Sequence, residues 1–82
     1  MVKEIIRTDS FISRLKRLGK SYLERVEKLI IKIINNPLIG KPMRFDRRGT
    51  MEVYLSPFRL MYFYDVNKDI LYFLDLYHKD EQ

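Results

Sequence analysis

Cysteine is absent from this 82-residue chain, which removes disulfides, thiol nucleophiles and thiolate-held metals from its possible chemistry. A single histidine is too few for a dedicated zinc or other transition-metal centre, so no metal and no cofactor is expected. Glycine and proline number three each. There is accordingly no glycine-rich phosphate loop, no linker and no low-complexity tract, and a single domain over residues 1–82 is expected. No apolar run approaches the roughly 20 residues of a membrane span. Charge is scattered through Met1–Arg7, without the apolar core of a signal peptide. A cytoplasmic protein without membrane contact is expected. Carboxylates paired at glycosidase spacing and a Ser/His/Asp set are likewise missing.

What is present is a chain of ordinary globular composition, 46% hydrophobic, with an uneven charge. The net charge is +5. Residues 1–36 contribute +5, residues 37–64 contribute +3, and residues 65–82 contribute −3. The basic surplus thus lies in the first half and in the segment that follows it, which points to an anionic partner, nucleic acid first. A domain this small buries only about 60% of its unfolded surface, so its core is thin.

Hydrophobic periodicity divides the chain. Met1–Arg7 reads as a short strand, with Val2 and Ile6 on one face and Ile5 on the other. Asp9 or Ser10 can cap a first helix whose Phe11, Leu15 and Leu18 recur at helical spacing. Gly19 suits that helix's C-terminus, and Ser21 with Glu24 fits a capping box for a second. The second helix carries Tyr22, Val26, Leu29, Ile30, Ile33 and Ile34 as a broad stripe and ends at Asn35-Asn36-Pro37. Two such helices cannot cover each other's apolar faces and need a sheet beneath them. Strands follow over Met51–Leu55, Phe58–Tyr64 and Ile70–His78, with a further short one near Met43–Phe45. The expected fold is α+β, a two-helix hairpin on a small antiparallel sheet, in the order β-α-α-β-β-β.

The last two strands form a hairpin around Asn67-Lys68-Asp69. Both faces of Phe58–Tyr64 are apolar or aromatic, yet the helix pair can cover only one. The other face therefore meets solvent, a ligand or a protein partner. Arg59 opens this hairpin while His78 and Lys79 close it, so three groups able to hold or protonate a phosphate lie at one end. Arginine suits a phosphate because its fork donates two parallel hydrogen bonds and stays charged. Turn length decides its neighbour. A two- or four-residue loop pairs Arg59 with Leu76 and places it beside His78; a three-residue loop places it beside Tyr77 and Lys79. Lys41, Arg44, Arg47 and Arg48 form a basic loop just upstream of the sheet. Glu52 can orient an arginine or act as a base, and the tyrosines invite base stacking.

Four stretches in this order, Gly40-Lys41-Pro42-Met43-Arg44, Gly49-Thr50-Met51-Glu52-Val53, Phe58-Arg59-Leu60-Met61-Tyr62 and Leu76-Tyr77-His78-Lys79-Asp80-Glu81, resemble the RelE/ParE superfamily of type II toxins. The likeness runs over essentially the whole chain and is nearer to the RelE and HigB branches. It implies a RelE-like fold and a ribosome-dependent mRNA endonuclease that works without metal, through attack of a 2′-hydroxyl on the adjacent phosphate. A DNA gyrase inhibitor of the ParE kind, or a non-catalytic binding module, is the alternative. The resemblance further implies that Arg59 holds the scissile phosphate and that Lys79, with His78, gives acid/base or electrostatic help. Lys41, Arg44, Arg47 and Arg48 would meet RNA, with Tyr77 standing in for the tyrosine that RelE toxins often carry after this strand. Tyr54 occupies a position where relatives often have arginine. The implied partners are a cognate antitoxin and mRNA on the ribosome.

Overall fold

The computed structural model describes residues 2–42 and 49–81. Its elements are β1 (Glu4–Arg7), α1 (Asp9–Lys16), α2 (Lys20–Asn35), β2 (Lys41–Pro42), β3 (Thr50–Leu55), β4 (Phe58–Asp65), β5 (Ile70–His78) and a closing 3-10 turn, Lys79–Glu81. The strands form one sheet in the order β1-β5-β4-β3-β2. The α+β class and the helix pair are as expected, with β2 added as a short edge strand at Lys41–Pro42. The strand expected over residues 43–45 lies outside the described residues.

The sheet is mixed rather than purely antiparallel. β1 runs parallel to β5, from Glu4 opposite Ile70 to Arg7 opposite Phe73. The two helices form part of the long crossover that a parallel pair requires. The amide of Lys3 donates to the carbonyl of Asp69 at 2.9 Å and fixes where the pairing begins.

The helix ends differ in detail from the sequence reading. Thr8, rather than Asp9 or Ser10, caps α1: its Oγ1 accepts from the Phe11 amide at 3.2 Å. The same hydroxyl donates to the Leu74 carbonyl at 2.8 Å, so the cap also ties α1 to β5. Gly19 does not end α1, whose C-cap is Arg17. It is instead the N-cap of α2, with φ −68° and no side-chain cap bond. α2 therefore starts one residue before Ser21, which leaves that serine inside the first turn and the Ser21/Glu24 box unformed.

Phe11 and Leu15 from α1 and Val26, Leu29, Ile30 and Ile33 from α2 meet Leu60, Tyr62, Leu71, Phe73 and Leu76 of the sheet, all buried. Each such side chain contributes about 1.5–3 kcal/mol when removed from water. Phe11 stacks on Phe73 with ring centroids 5.3 Å apart. Tyr62 is fully buried, and its hydroxyl donates to the Pro37 carbonyl and accepts from the Gly40 amide, both at 2.8 Å. Burial raises the Tyr62 pKa, partly offset by the Gly40 hydrogen bond. A Cβ at Gly40 would lie 2.7 Å from that hydroxyl, so only glycine lets the chain enter β2 here. Gly49 has φ +82° and sits against the Phe63 ring, where a Cβ would come within 2.7 Å.

Candidate functional site

Strand alternation sorts the sheet residues into two faces. Leu60 and Tyr62 of β4 point at the helices, so Arg59, Met61 and Phe63 point away. On β3, Met51, Val53 and Leu55 pack toward the core, which leaves Thr50, Glu52 and Tyr54 on the opposite face. The face without helices is where Arg59 lies.

The hairpin register settles the partner of Arg59 in an unexpected way. Asp65 pairs with Ile70, giving a four-residue loop, the case in which Arg59 would face Leu76. Arg59 instead pairs with Tyr77. A bulge intervenes: Met61 pairs with Asp75 while Tyr62 pairs with Phe73, so Leu74 has no partner on β4. The cause is legible in β5. Leu71, Phe73 and Leu76 are all buried on the helix face, and the odd step from Phe73 to Leu76 demands one extra residue. Contacts from α1 stabilise the bulge. Thr8 binds the Leu74 carbonyl, and the Asp75 carboxylate accepts from Ser10 at 3.3 Å and from the Leu76 amide at 2.8 Å.

The consequence is a compact cluster. Arg59 Nη1 donates to Glu52 Oε1 at 3.0 Å, and the Tyr77 hydroxyl donates to Glu52 Oε2 at 3.1 Å. The guanidinium lies over the Tyr54 ring, 5.9 Å from its centroid. Lys41 is the direct cross-strand partner of Glu52 and shares its face. Three of the expected residues, Arg59, Tyr77 and Lys41, are thus brought together. Glu52, which sequence alone leaves as orienter or base, bonds both Arg59 and Tyr77 and lies opposite Lys41. The side chains of Arg59 and Glu52 are 35% and 23% exposed, so their ion pair is worth about 1 kcal/mol at most in stability. Its main effect is to hold the guanidinium in one orientation on an accessible surface.

His78 is elsewhere, which corrects the expectation that it lies beside Arg59. It pairs with Phe58 and faces the helices, with its ring edge-on to Phe58 at 5.8 Å. Phe58 is in turn edge-on to Tyr22 at 5.3 Å. Arg14, Arg17, Leu18, Phe58, Leu76 and His78 line a shallow cleft of about 290 Å³. His78 Nδ1 accepts from the Asp80 amide at 3.2 Å. Lys79 begins the closing 3-10 turn, its backbone amide bound to the Pro57 carbonyl at 2.9 Å and its side chain exposed. Arg44, Arg47 and Arg48 lie outside the described residues. Among the described residues no three His, Asp or Glu side chains converge in a way that could hold a metal ion, and no helix is long and apolar enough to cross a membrane.

Comparison with known proteins agrees with this architecture. The toxin of a RelBE-type toxin–antitoxin complex from Mycobacterium tuberculosis superposes with a TM-score of 0.84 at 23% identity, over 96% of this chain and 100% of that one. A YoeB/ParE toxin from Agrobacterium tumefaciens gives 0.80 at 17% identity, over 92% and 96% of the two chains. The archaeal RelE–RelB complex from Pyrococcus horikoshii gives 0.76 at 14% identity, with both chains covered fully. These likenesses establish a RelE-like fold. No curated protein sequence matches. The profile of the family described as "ParE toxin of type II toxin-antitoxin system, parDE" matches residues 2–82, and the chain therefore belongs to this ParE toxin family, within the RelE/ParE superfamily of type II toxins.

Proposed function

We propose that this toxin is a ribosome-dependent mRNA endonuclease that halts translation in the cytoplasm. The observation that carries the reading is Arg59, held by Glu52 on the helix-free face of the sheet among Lys41, Tyr54 and Tyr77. A fixed guanidinium there can accept a scissile phosphate through paired hydrogen bonds and stabilise the charge that develops on it. A well-placed donor of this kind supplies on the order of 10²–10³ in rate. Tyr54 and Tyr77 offer rings against which flanking bases can stack. Lys41, and Arg44, Arg47 and Arg48 of the adjoining basic segment, serve as contacts to the RNA backbone. The reaction is attack of a ribose 2′-hydroxyl on the adjacent phosphate, giving a 2′,3′-cyclic phosphate and a free 5′-hydroxyl. Lys79, exposed at the end of β5, adds positive charge. His78, on the opposite face, takes no part.

The partner that restrains the toxin is a cognate antitoxin. Solved relatives, among them the complexes from M. tuberculosis and P. horikoshii, hold a toxin with its antitoxin. An acidic segment laid over the Arg59 face would neutralise it directly.

The name of the matching family favours a second reading, a ParE-like inhibitor of DNA gyrase. Expression in a translation extract with mapping of mRNA 5′ ends separates the two. Ribosome-dependent cuts that disappear in Arg59→Ala and weaken in Lys79→Ala support the endonuclease. Intact mRNA together with blocked supercoiling supports the gyrase inhibitor, and neither effect would leave a non-catalytic binding module.

A further inference from the structure

Attack by a 2′-hydroxyl needs an acceptor for its proton, and we infer that Glu52 is that acceptor, with Tyr77 as the residue that positions it. This inference rests on the endonuclease reading of the Arg59 site. Glu52 is the carboxylate placed against Arg59, with 3.0 Å between Oε1 and Nη1. A phosphate that meets the Arg59 guanidinium brings its neighbouring ribose to the same patch of sheet as Glu52.

Among the described residues, four other carboxylates have partners elsewhere. Asp75 binds Ser10 and the Leu76 amide at the bulge. Asp65 accepts from the Lys68 amide in the hairpin loop, and Asp69 accepts from the Tyr64 hydroxyl. Glu27 pairs with Arg7 on the helix side. His78, the single histidine, faces the helices beside Phe58.

The carboxylate has capacity left for this task. An ionised glutamate offers about four lone-pair positions. Arg59 uses one on Oε1 and Tyr77 one on Oε2. These two bonds fix the plane of the carboxylate and leave other lone pairs to accept a proton. In the step itself, Glu52 takes the proton as the 2′-oxygen forms its bond to phosphorus. The bond from phosphorus to the 5′-oxygen breaks, and that oxygen leaves with a proton from water. Glu52 then returns its proton to solvent, so no net charge accumulates in the site.

The test is single-turnover cleavage of mRNA on programmed ribosomes at neutral pH, for the wild type, Glu52→Gln and Arg59→Ala. Glutamine keeps one oxygen able to accept from Arg59 or Tyr77 but cannot take the proton. The expected result is a fall of about 10²–10⁴-fold in Glu52→Gln, the range for removal of a general base. Arg59→Ala should be slow as well. Binding of ribosomes programmed with mRNA carrying a 2′-deoxy nucleotide at the cut site should be the same for Glu52→Gln and wild type, which shows that fold and docking survive. Cleavage by Glu52→Gln within tenfold of wild type would overturn the inference while leaving the endonuclease standing. Absence of cleavage by the wild type would overturn both.

Discussion

The two faces of the sheet use similar residues to opposite ends. Toward the helices, Phe11, Tyr62 and Phe73 are fully buried, and the one polar atom among them, the Tyr62 hydroxyl, has both a donor and an acceptor partner. Away from the helices, Tyr54, Arg59 and Tyr77 remain partly exposed around the Glu52 carboxylate. Rings on the first face contribute through area removed from water; rings on the second are available to a ligand. A substitution should therefore damage stability on one face and chemistry on the other, and this separation is open to measurement.

Phe73→Ala should show the largest effect. Removing a ring stacked on Phe11 in the thin core should cost about 3–5 kcal/mol in urea unfolding, enough to unfold much of a domain this small. Next comes Arg59→Ala, which should slow mRNA cleavage by about 10²–10³-fold, equivalent to roughly 2.7–4 kcal/mol. Its thermal midpoint should stay near that of wild type. A large drop in that midpoint would break the separation of the two faces.

Tyr62→Phe tests the buried hydroxyl. It leaves the Pro37 carbonyl and Gly40 amide without that partner and should cost about 1–3 kcal/mol, with cleavage by the folded fraction unchanged. Tyr62 also has a pH signature. Its pKa is raised by burial above the ordinary 10.0, so the unfolded chain loses this proton first as pH rises. Stability should accordingly be full below about pH 10 and fall above it. Tyr64 adds to the same trend, because its hydrogen bond to Asp69 raises its pKa too. Tyr62→Phe should flatten the alkaline decline without abolishing it, as followed by circular dichroism.

His78→Ala sharpens the comparison from the other side. Loss of the edge-on ring contact with Phe58 should cost about 0.5–1.5 kcal/mol, while cleavage on programmed ribosomes should remain within about tenfold of wild type. A far larger loss of cleavage would place His78 in the reaction despite its position on the helix face.

Much of this was legible in the residues. The apolar stripes of α1 and α2, the stop at Asn35-Asn36-Pro37 and the closing hairpin all follow from local periodicity and turn chemistry, and the structure agrees. Cap positions were less legible. Thr8 serves as cap because its hydroxyl also satisfies the Leu74 carbonyl, a contact across 66 positions that local preference cannot register. The site was legible in composition but not in geometry. Arg59, Lys41 and Tyr77 stood out by type, whereas the grouping of Arg59 with Tyr77 and Glu52 rather than His78 depended on a bulge. The signal for that bulge was the odd spacing of Phe73 and Leu76, which becomes readable only when both are known to face the same core.

The sequence by itself determined that this is a small, basic, cysteine-free α+β chain whose last hairpin presents an arginine beside aromatic rings. These properties follow from side-chain type and from periods of two and 3.6 residues, which act over a few positions. Only the tertiary structure decided which face each group occupies. A strand residue changes face with every single-residue shift in register, and here that shift is made at Leu74, where burial of Phe73 and Leu76 against the helices outweighs regular pairing.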